Sequence, residues 1–286
     1  MSIIKNGKNI IGMFKGDIPI SKIYKGDLSV FELNVVYNVT AVFNVTSTTE
    51  PTKIANGNAY AISGFTEMYV DGVQIDVTSG YTFDTLGEHT VQYKLTDETK
   101  FANAAFSDCT SLTSVIIGEG LESTGYLTFD GCTNLRSVTL PDTVTKIGNG
   151  TFSSCRSLSS ITIPHSVTSI INGAFEGCTS LTEVVIPSGV TKINTRTFQG
   201  CSSLRKITIG SGVQEIGVSS ISFLEQPVFS GCTSLTEITC LAPTAPKLGS
   251  KAFNGIQNNN GTLYVQQGAD YSAWTSVLTS WNLEYI

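Results

Sequence analysis

The sequence predicts a mainly β protein with short helices: a solenoid of stacked repeats, preceded by a small β domain and an N-terminal β-hairpin module. Three observations predict it. Cys109, Cys132, Cys155, Cys178 and Cys201 recur every 23 residues. A phenylalanine stands three residues before each of them. A short alternating apolar pair, such as Ile161 and Ile163, follows each cysteine at a fixed distance. A fixed period in the twenties with one short strand per period marks units that stack on one another.

The repeat is justified position by position. Phe106, Phe129, Phe152, Phe175, Phe198, Phe229 and Phe253 open successive units. Leucine stands six residues on, from Leu112 to Leu235, and the alternating pair follows, from Val115/Ile117 to Ile238/Cys240. Valines such as Val144 and Val167, then isoleucines such as Ile147 and Ile170, complete the apolar set. One such unit cannot bury all these side chains by itself, so stacked copies bury them against each other while their strands pair along the stack. The alternating pair points inward because side chains alternate along a strand. Pro141, Pro164 and Pro187 end their strands. The stretch around each Phe and Cys reads as a short helical turn on the opposite wall. Strands about 4.8 Å apart make six rungs a slab roughly 30 Å long.

The spacing is that of a leucine-rich-repeat solenoid. Phe152, Cys155, Leu158, Ile161, Ile163, Pro164, Val167 and Ile170 form a nearly full consensus copy. This run resembles the BspA-like leucine-rich repeats of bacterial and protist surface proteins, over residues 102–286. The ending, with Tyr264, Tyr271, Trp274 and Trp281, is similar to that family's C-terminal cap. The resemblance implies adhesion and protein binding. It implies no catalysis and carries over no set of binding residues.

Four segments are expected: an attachment module at 1–36, a sandwich-like β domain capping the solenoid at 37–101, the solenoid at 102–260 and the cap at 261–286. In the first, Phe14-Lys-Gly-Asp17 recurs as Tyr24-Lys-Gly-Asp27, and apolar residues flank the glycine turns. These segments look like the opening modules of bacteriophage virion proteins. A start with no apolar signal core fits a virion protein, which lysis releases. In the second, Val39, Ala41, Phe43 and Val45 alternate, and Asp71-Gly72 marks a hairpin turn.

Composition narrows the function. Net charge is −6, and charged residues are 14% of the chain. This argues against nucleic acid held by a basic face. Mean hydropathy is +0.12, yet no apolar run approaches the roughly 18 residues of a membrane span, so no membrane insertion is expected. His89 and His165 are the two histidines, and the cysteines lack the paired spacing of zinc ligands. Asp71-Gly72 lacks the acidic series of a calcium loop. No catalytic residue, cofactor or metal is expected. The cysteine ladder reads either as small core residues or as a disulfide staple between rungs.

The outward strand face carries Ile116, Thr139, Thr162, Val185, Thr208 and Thr239. It lacks the Trp, Tyr and Arg anchors that binding hot spots favour, and its threonines suit strand propensity. Between Ile216 and Phe229 the chain gains eight residues over the repeat. Ile221, Phe223 and Leu224 there have no repeat slot to fill, which makes them the candidate partner-binding residues. They read equally as an insertion folded back on the core. The expected partners are a protein or cell-surface glycan receptor, virion proteins through residues 1–36, and a further copy of the chain in a homo-oligomer. The expected role is a non-enzymatic structural or adhesion protein of a phage virion. The alternative is an adhesin on a bacterial surface or in the extracellular space.

Overall fold

The computed structural model describes residues 3–5, 8–10, 38–218 and 227–286. The chain divides into two units, Met1–Val36 and Tyr37–Ile286. In the first, β1 (Ile3–Lys5) and β2 (Lys8–Ile10) pair antiparallel. The Lys-Gly-Asp echo lies outside the described residues.

The second unit opens with β3 (Val39–Val45), β4 (Thr52–Lys53), α1 (Ala59–Ile62), β5 (Phe65–Val70), β6 (Val73–Ile75), β7 (Gly80–Tyr81) and β8 (Gly87–Leu95). Alternation in β3 buries Val39, Ala41, Phe43 and Val45 and turns Thr40, Val42 and Asn44 outward. Asn58 caps α1 by accepting the Ala61 N–H at 2.7 Å. At Asp71 and Gly72 φ is 48° and 83°, the left-handed pair a two-residue hairpin needs between β5 and β6.

The repeats contribute two ladders. Along the first run β9 (Leu112–Ile117), β10 (Ser137–Thr139), β13 (Glu183–Ile186), β15 (Lys206–Ile209), β17 (Glu237–Cys240), β19 (Thr262–Val265) and β20 (Asn282–Tyr285). Along the second run β11 (Lys146–Ile147), β12 (Ser169–Ile170), β14 (Lys192–Ile193), β16 (Glu215–Ile216) and β18 (Lys247–Leu248). The second, two residues per rung, is a parallel sheet at the positions that the periodic Ile residues mark.

The 38–95 strands do not form a separate two-sheet sandwich. One six-stranded sheet runs β10-β9-β3-β8-β5-β6, beside a two-residue pair of β4 and β7. β3 lies antiparallel on β9, with Thr40 opposite Ile116. The first solenoid strand would otherwise present unpaired backbone groups, and β3 covers them.

The first ladder is interrupted. No strand forms at 159–163, between β10 and β13. Where the ladder is continuous, Leu241 donates its N–H to Ile209 one rung back at 2.9 Å. Pro141, Pro164 and Pro187 hold the equivalent place in the earlier rungs and carry no N–H, so pairing is thinnest there.

The repeat wall opposite the strands is built of turns rather than helices. Cys178 donates its N–H to Phe175 within the rung, and Phe175 donates to Thr197 of the next rung at 3.0 Å. The residue two after each Phe has positive φ: Gly177 at 71° and Gly200 at 78°, but also Asp108 at 56° and Ser154 at 58°. Glycine adopts this conformation without strain. A Cβ on Gly200 would still meet the Gly177 backbone at 3.5 Å.

Seven phenylalanine rings stack through the core from Phe106 to Phe253, with centroids 5.4 to 5.9 Å apart. Tyr93 meets the first ring edge-on at 5.1 Å, and Trp274 meets the last at 5.0 Å. The column is thus closed at both ends by aromatic edges, the arrangement that ring quadrupoles favour. Trp274 lies in α2 (Ser272–Thr275) and is fully buried.

Candidate binding surface

The outward face of the first ladder continues onto the N-terminal sheet. Register places Tyr69, Gln92, Thr40, Ile116 and Thr139 in one row across five strands. Beyond the interruption the row resumes as Val185, Thr208, Thr239, Tyr264 and Glu284. Ile116 is 50% and Val185 60% exposed. From β8 to the interruption, the outward row pairs Thr90 and Gln92 with Val42 and Thr40, then with Ser114 and Ile116, then with Ser137 and Thr139, none of them charged.

Charge begins at β13. Glu183, Lys206 and Glu237 lie side by side on successive strands, and Lys206 pairs with Glu237. The hydrogen bond to Glu237 raises the Lys206 pKa, helped by the charges of Glu237 and Glu183. At the other end of the face, Lys94 meets Glu67 at 3.0 Å. These pairs are exposed and contribute little to stability, on the order of 0–1 kcal/mol each. They set where a charged partner is accepted or refused.

The residues singled out in the sequence fall in different places. His165 is exposed in a turn beside Pro164, where the sequence places a strand exit and no strand forms. Ile221, Phe223 and Leu224 lie outside the described residues. The seven cysteines are buried and free, with thiols spent on backbone: Cys132, Cys155, Cys178, Cys201 and Cys232 each donate to a phenylalanine carbonyl one rung back, at 3.0 to 3.1 Å. Burial pushes the Cys109 and Cys178 thiols up to about 12, away from the thiolate that a nucleophile requires.

His89 has the richest polar surroundings. Its Nδ1 lies 2.6 Å from Asp71 Oδ2, and its Nε2 lies 3.1 Å from the Thr85 hydroxyl. That order of groups resembles a nucleophile, base and orienting acid. However, Nε2 is closer still, at 2.9 Å, to the Thr85 carbonyl. A nitrogen donating to a carbonyl cannot take a proton from a hydroxyl. Nothing in the sequence linked these three side chains. Their only signal was the Asp71-Gly72 turn.

Among the described residues no three His, Cys, Asp or Glu side chains converge to hold a metal. No helix among them is long and apolar enough to cross a membrane. An open depression of about 470 Å³ near the C-terminus is lined by Gln267, Asp270 and Tyr285. A second, of about 420 Å³, is lined by Pro246, Leu248, Phe253 and Val277. Neither gathers an acid, a base and a nucleophile.

The profile described as BspA type leucine rich repeat region matches in 6 copies, over residues 99–226 and 218–270. Two solved structures share the fold, those of T. pallidum and pneumococcal proteins. A leucine rich repeat protein of T. pallidum (TpLRR) is 26% identical with a TM-score of 0.51, over 66% of this chain and 80% of that one. The pneumococcal vaccine antigen PcpA is 19% identical with a TM-score of 0.50, over 68% of this chain and 46% of that one. A leucine-rich repeat protein from Bacteroides ovatus is 26% identical with a TM-score of 0.48, over 72% and 43%. No curated protein sequence matches the chain.

Proposed function

The chain belongs to the BspA-type leucine-rich-repeat family, and on that premise we propose that it is a non-enzymatic binding protein that presents its solenoid to a partner at a bacterial surface or in the extracellular space. One observation carries this reading. The outward strand face is broad and continuous with the N-terminal sheet, while the residues that would support chemistry are buried, paired to backbone or scattered. The family's association with adhesion supports the same reading, with a protein or a cell-surface glycan as receptor.

The insertion at Ile221, Phe223 and Leu224 is the proposed anchor, because the strand face lacks large aromatic anchors apart from Tyr69 and Tyr264. Apolar residues that have no repeat slot to fill are available for a contact, with a receptor or with a second copy. Deleting residues 218–225 restores the 23-residue spacing between Phe198 and Phe229 and should leave the solenoid folded. Binding of the fluorescently labelled full chain to intact cells, and its oligomeric state by light scattering, should both be compared with the deletion. Saturable binding that the deletion weakens supports the reading. A folded deletion variant that binds and assembles like the parent removes the insertion from the site. No saturable binding by the full chain removes the adhesin reading.

A second reading places the chain on a phage particle, attached through residues 1–36. The Lys-Gly-Asp echo favours it. Co-sedimentation of the full chain, but not of residues 37–286, with purified particles would select this reading over the first.

A further inference from the structure

Asp71 of the Asp71-Gly72 turn and Thr85 of the loop at 82–86 are 14 residues apart in sequence and both contact the His89 imidazole on β8. Asp71 Oδ2 takes Nδ1 at 2.6 Å, while its Oδ1 accepts the Thr90 N–H at 2.9 Å. Nε2 faces the Thr85 carbonyl at 2.9 Å and the Thr85 hydroxyl at 3.1 Å. The ring rests on Phe83, with centroids 4.5 Å apart. The His89 side chain is 12% exposed, against 50% for Asp71.

A neutral imidazole has one N–H and one lone pair. Here one nitrogen meets a carboxylate and the other a carbonyl, and neither of those partners has a proton to give at neutral pH. Only the imidazolium donates to both at once; a neutral ring with its proton on Nδ1 would keep Asp71, leave the Thr85 carbonyl and accept instead from the Thr85 hydroxyl, the longer contact. The contacts also converge on a distinctive tip. Val73, two residues after Asp71, is 66% exposed, and Leu86, next to Thr85, is 64% exposed. They are the two most exposed large apolar side chains among the described residues.

We propose that His89 is a proton-operated clamp: protonated, it ties the Asp71-Gly72 turn to the 82–86 loop and fixes the tip that carries Val73 and Leu86, and deprotonated, it releases the loop. The charges around it suit that role. Asp71 is the ionisable group in contact. Asp84 lies on the loop, Glu88 on the opposite side of β8 faces Asn44, and the facing residue on β3 is Phe43. No Lys or Arg occurs between Lys53 and Lys94, and Lys94, farther along β8, pairs with Glu67. The Asp71 hydrogen bond raises the His89 pKa, partly opposed by burial and helped by the Thr85 backbone. A raised folded value means that the clamp is fully made below the unfolded value of about 6.5 and is lost as pH rises through the folded value.

The test uses the full chain. Imidazole nitrogen chemical shifts of His89 should show both nitrogens protonated at about pH 5.5, below the free imidazole value, and one at about pH 8.5. Amide hydrogen exchange of 82–87, corrected for its intrinsic pH dependence, should be clearly faster at the higher pH, where the Asp71 and Thr85 contacts of the imidazolium are lost. In His89→Gln that difference should vanish, with the segment exchanging at the fast rate throughout. Unchanged protection of β15 would certify that the solenoid is intact. A wild-type His89 that is neutral at the lower pH, or a loop equally protected at both, overturns the clamp whatever the variant does.

Discussion

The Cys178 thiol donates to the carbonyl of Phe152, one rung back, at 3.1 Å. The same carbonyl already accepts the Cys155 N–H within its own rung, at 3.2 Å. The thiol therefore fills the second lone pair of a buried acceptor and joins two rungs where no strand runs. A small, weakly donating side chain suits this place, and cysteine is one. Ile256 closes the series where the C-terminal cap takes over.

Reduced, buried thiols follow from that geometry. Alkylating agent at about pH 8, near the free thiol pKa of about 8.5, should leave the native protein unlabelled, because all seven thiols are buried and burial pushes those of Cys109 and Cys178 up. Denaturing the unreduced protein should expose all seven cysteines to label. Intact mass reads both. Two missing labels in the denatured sample would mean a disulfide between rungs.

Removing a leucine from the centre of the stack should be far costlier than trimming the outward face. Leu158 is fully buried, and Leu158→Ala should destabilise by about 2–5 kcal/mol. Thr162 is exposed and lies where no strand forms. Thr162→Ala should cost under about 0.5 kcal/mol, as for surface changes away from special features. Urea melts of both variants distinguish the two, and equal losses would show that Thr162 is packed rather than turned outward.

The repeat was legible because every rung needs the same apolar set, which writes the period into the sequence. Phe106 to Phe253, the leucines and the inward strand pairs sit where that period places them, except that Ile161 and Ile163 form no strand. The second ladder was legible only as apolar positions, since two-residue strands such as Lys146–Ile147 leave no alternation to detect. The pairing of β3 with β9 was hidden for a different reason. Val39, Ala41, Phe43 and Val45 announce a strand, but nothing local says which edge it covers. The clamp at His89 joins residues 18 apart through side-chain geometry alone. The candidate anchor at Ile221, Phe223 and Leu224 stands out as a break in the period, and a break says where the chain departs, not what it meets.

Glu67 gives a pH signature of opposite sense to His89. The Tyr69 hydroxyl, at 2.6 Å, and then Lys94, at 3.0 Å, hold its carboxyl below the usual range. A depressed folded value means stabilisation present above the unfolded value of about 4.3 and lost as pH falls through the folded one. Glu67→Gln should therefore destabilise at neutral pH, by under about 1 kcal/mol for so accessible a pair. The gap between variant and parent should close in acid. A gap that persists at about pH 2, below both values, would assign the effect to packing rather than charge.

Trp274 decides how the aromatic column ends. Its ring meets Phe253 edge-on, and its Nε1–H donates to the Pro246 carbonyl at 2.9 Å. Trp281 anchors the same cap by donating to Ile256 at 3.0 Å. Trp274→Phe keeps an aromatic edge but leaves the Pro246 carbonyl without this donor, a loss of about 1–3 kcal/mol for a buried acceptor. Trp274→Ala also opens a cavity beside Phe253, and should cost about 3–5 kcal/mol. Solenoid ends need their caps for solubility, so the alanine variant should also aggregate on heating at a lower temperature than the phenylalanine variant. Thermal melts followed by light scattering measure both effects. If the two variants melt and aggregate alike, the hydrogen bond rather than the ring closes the column.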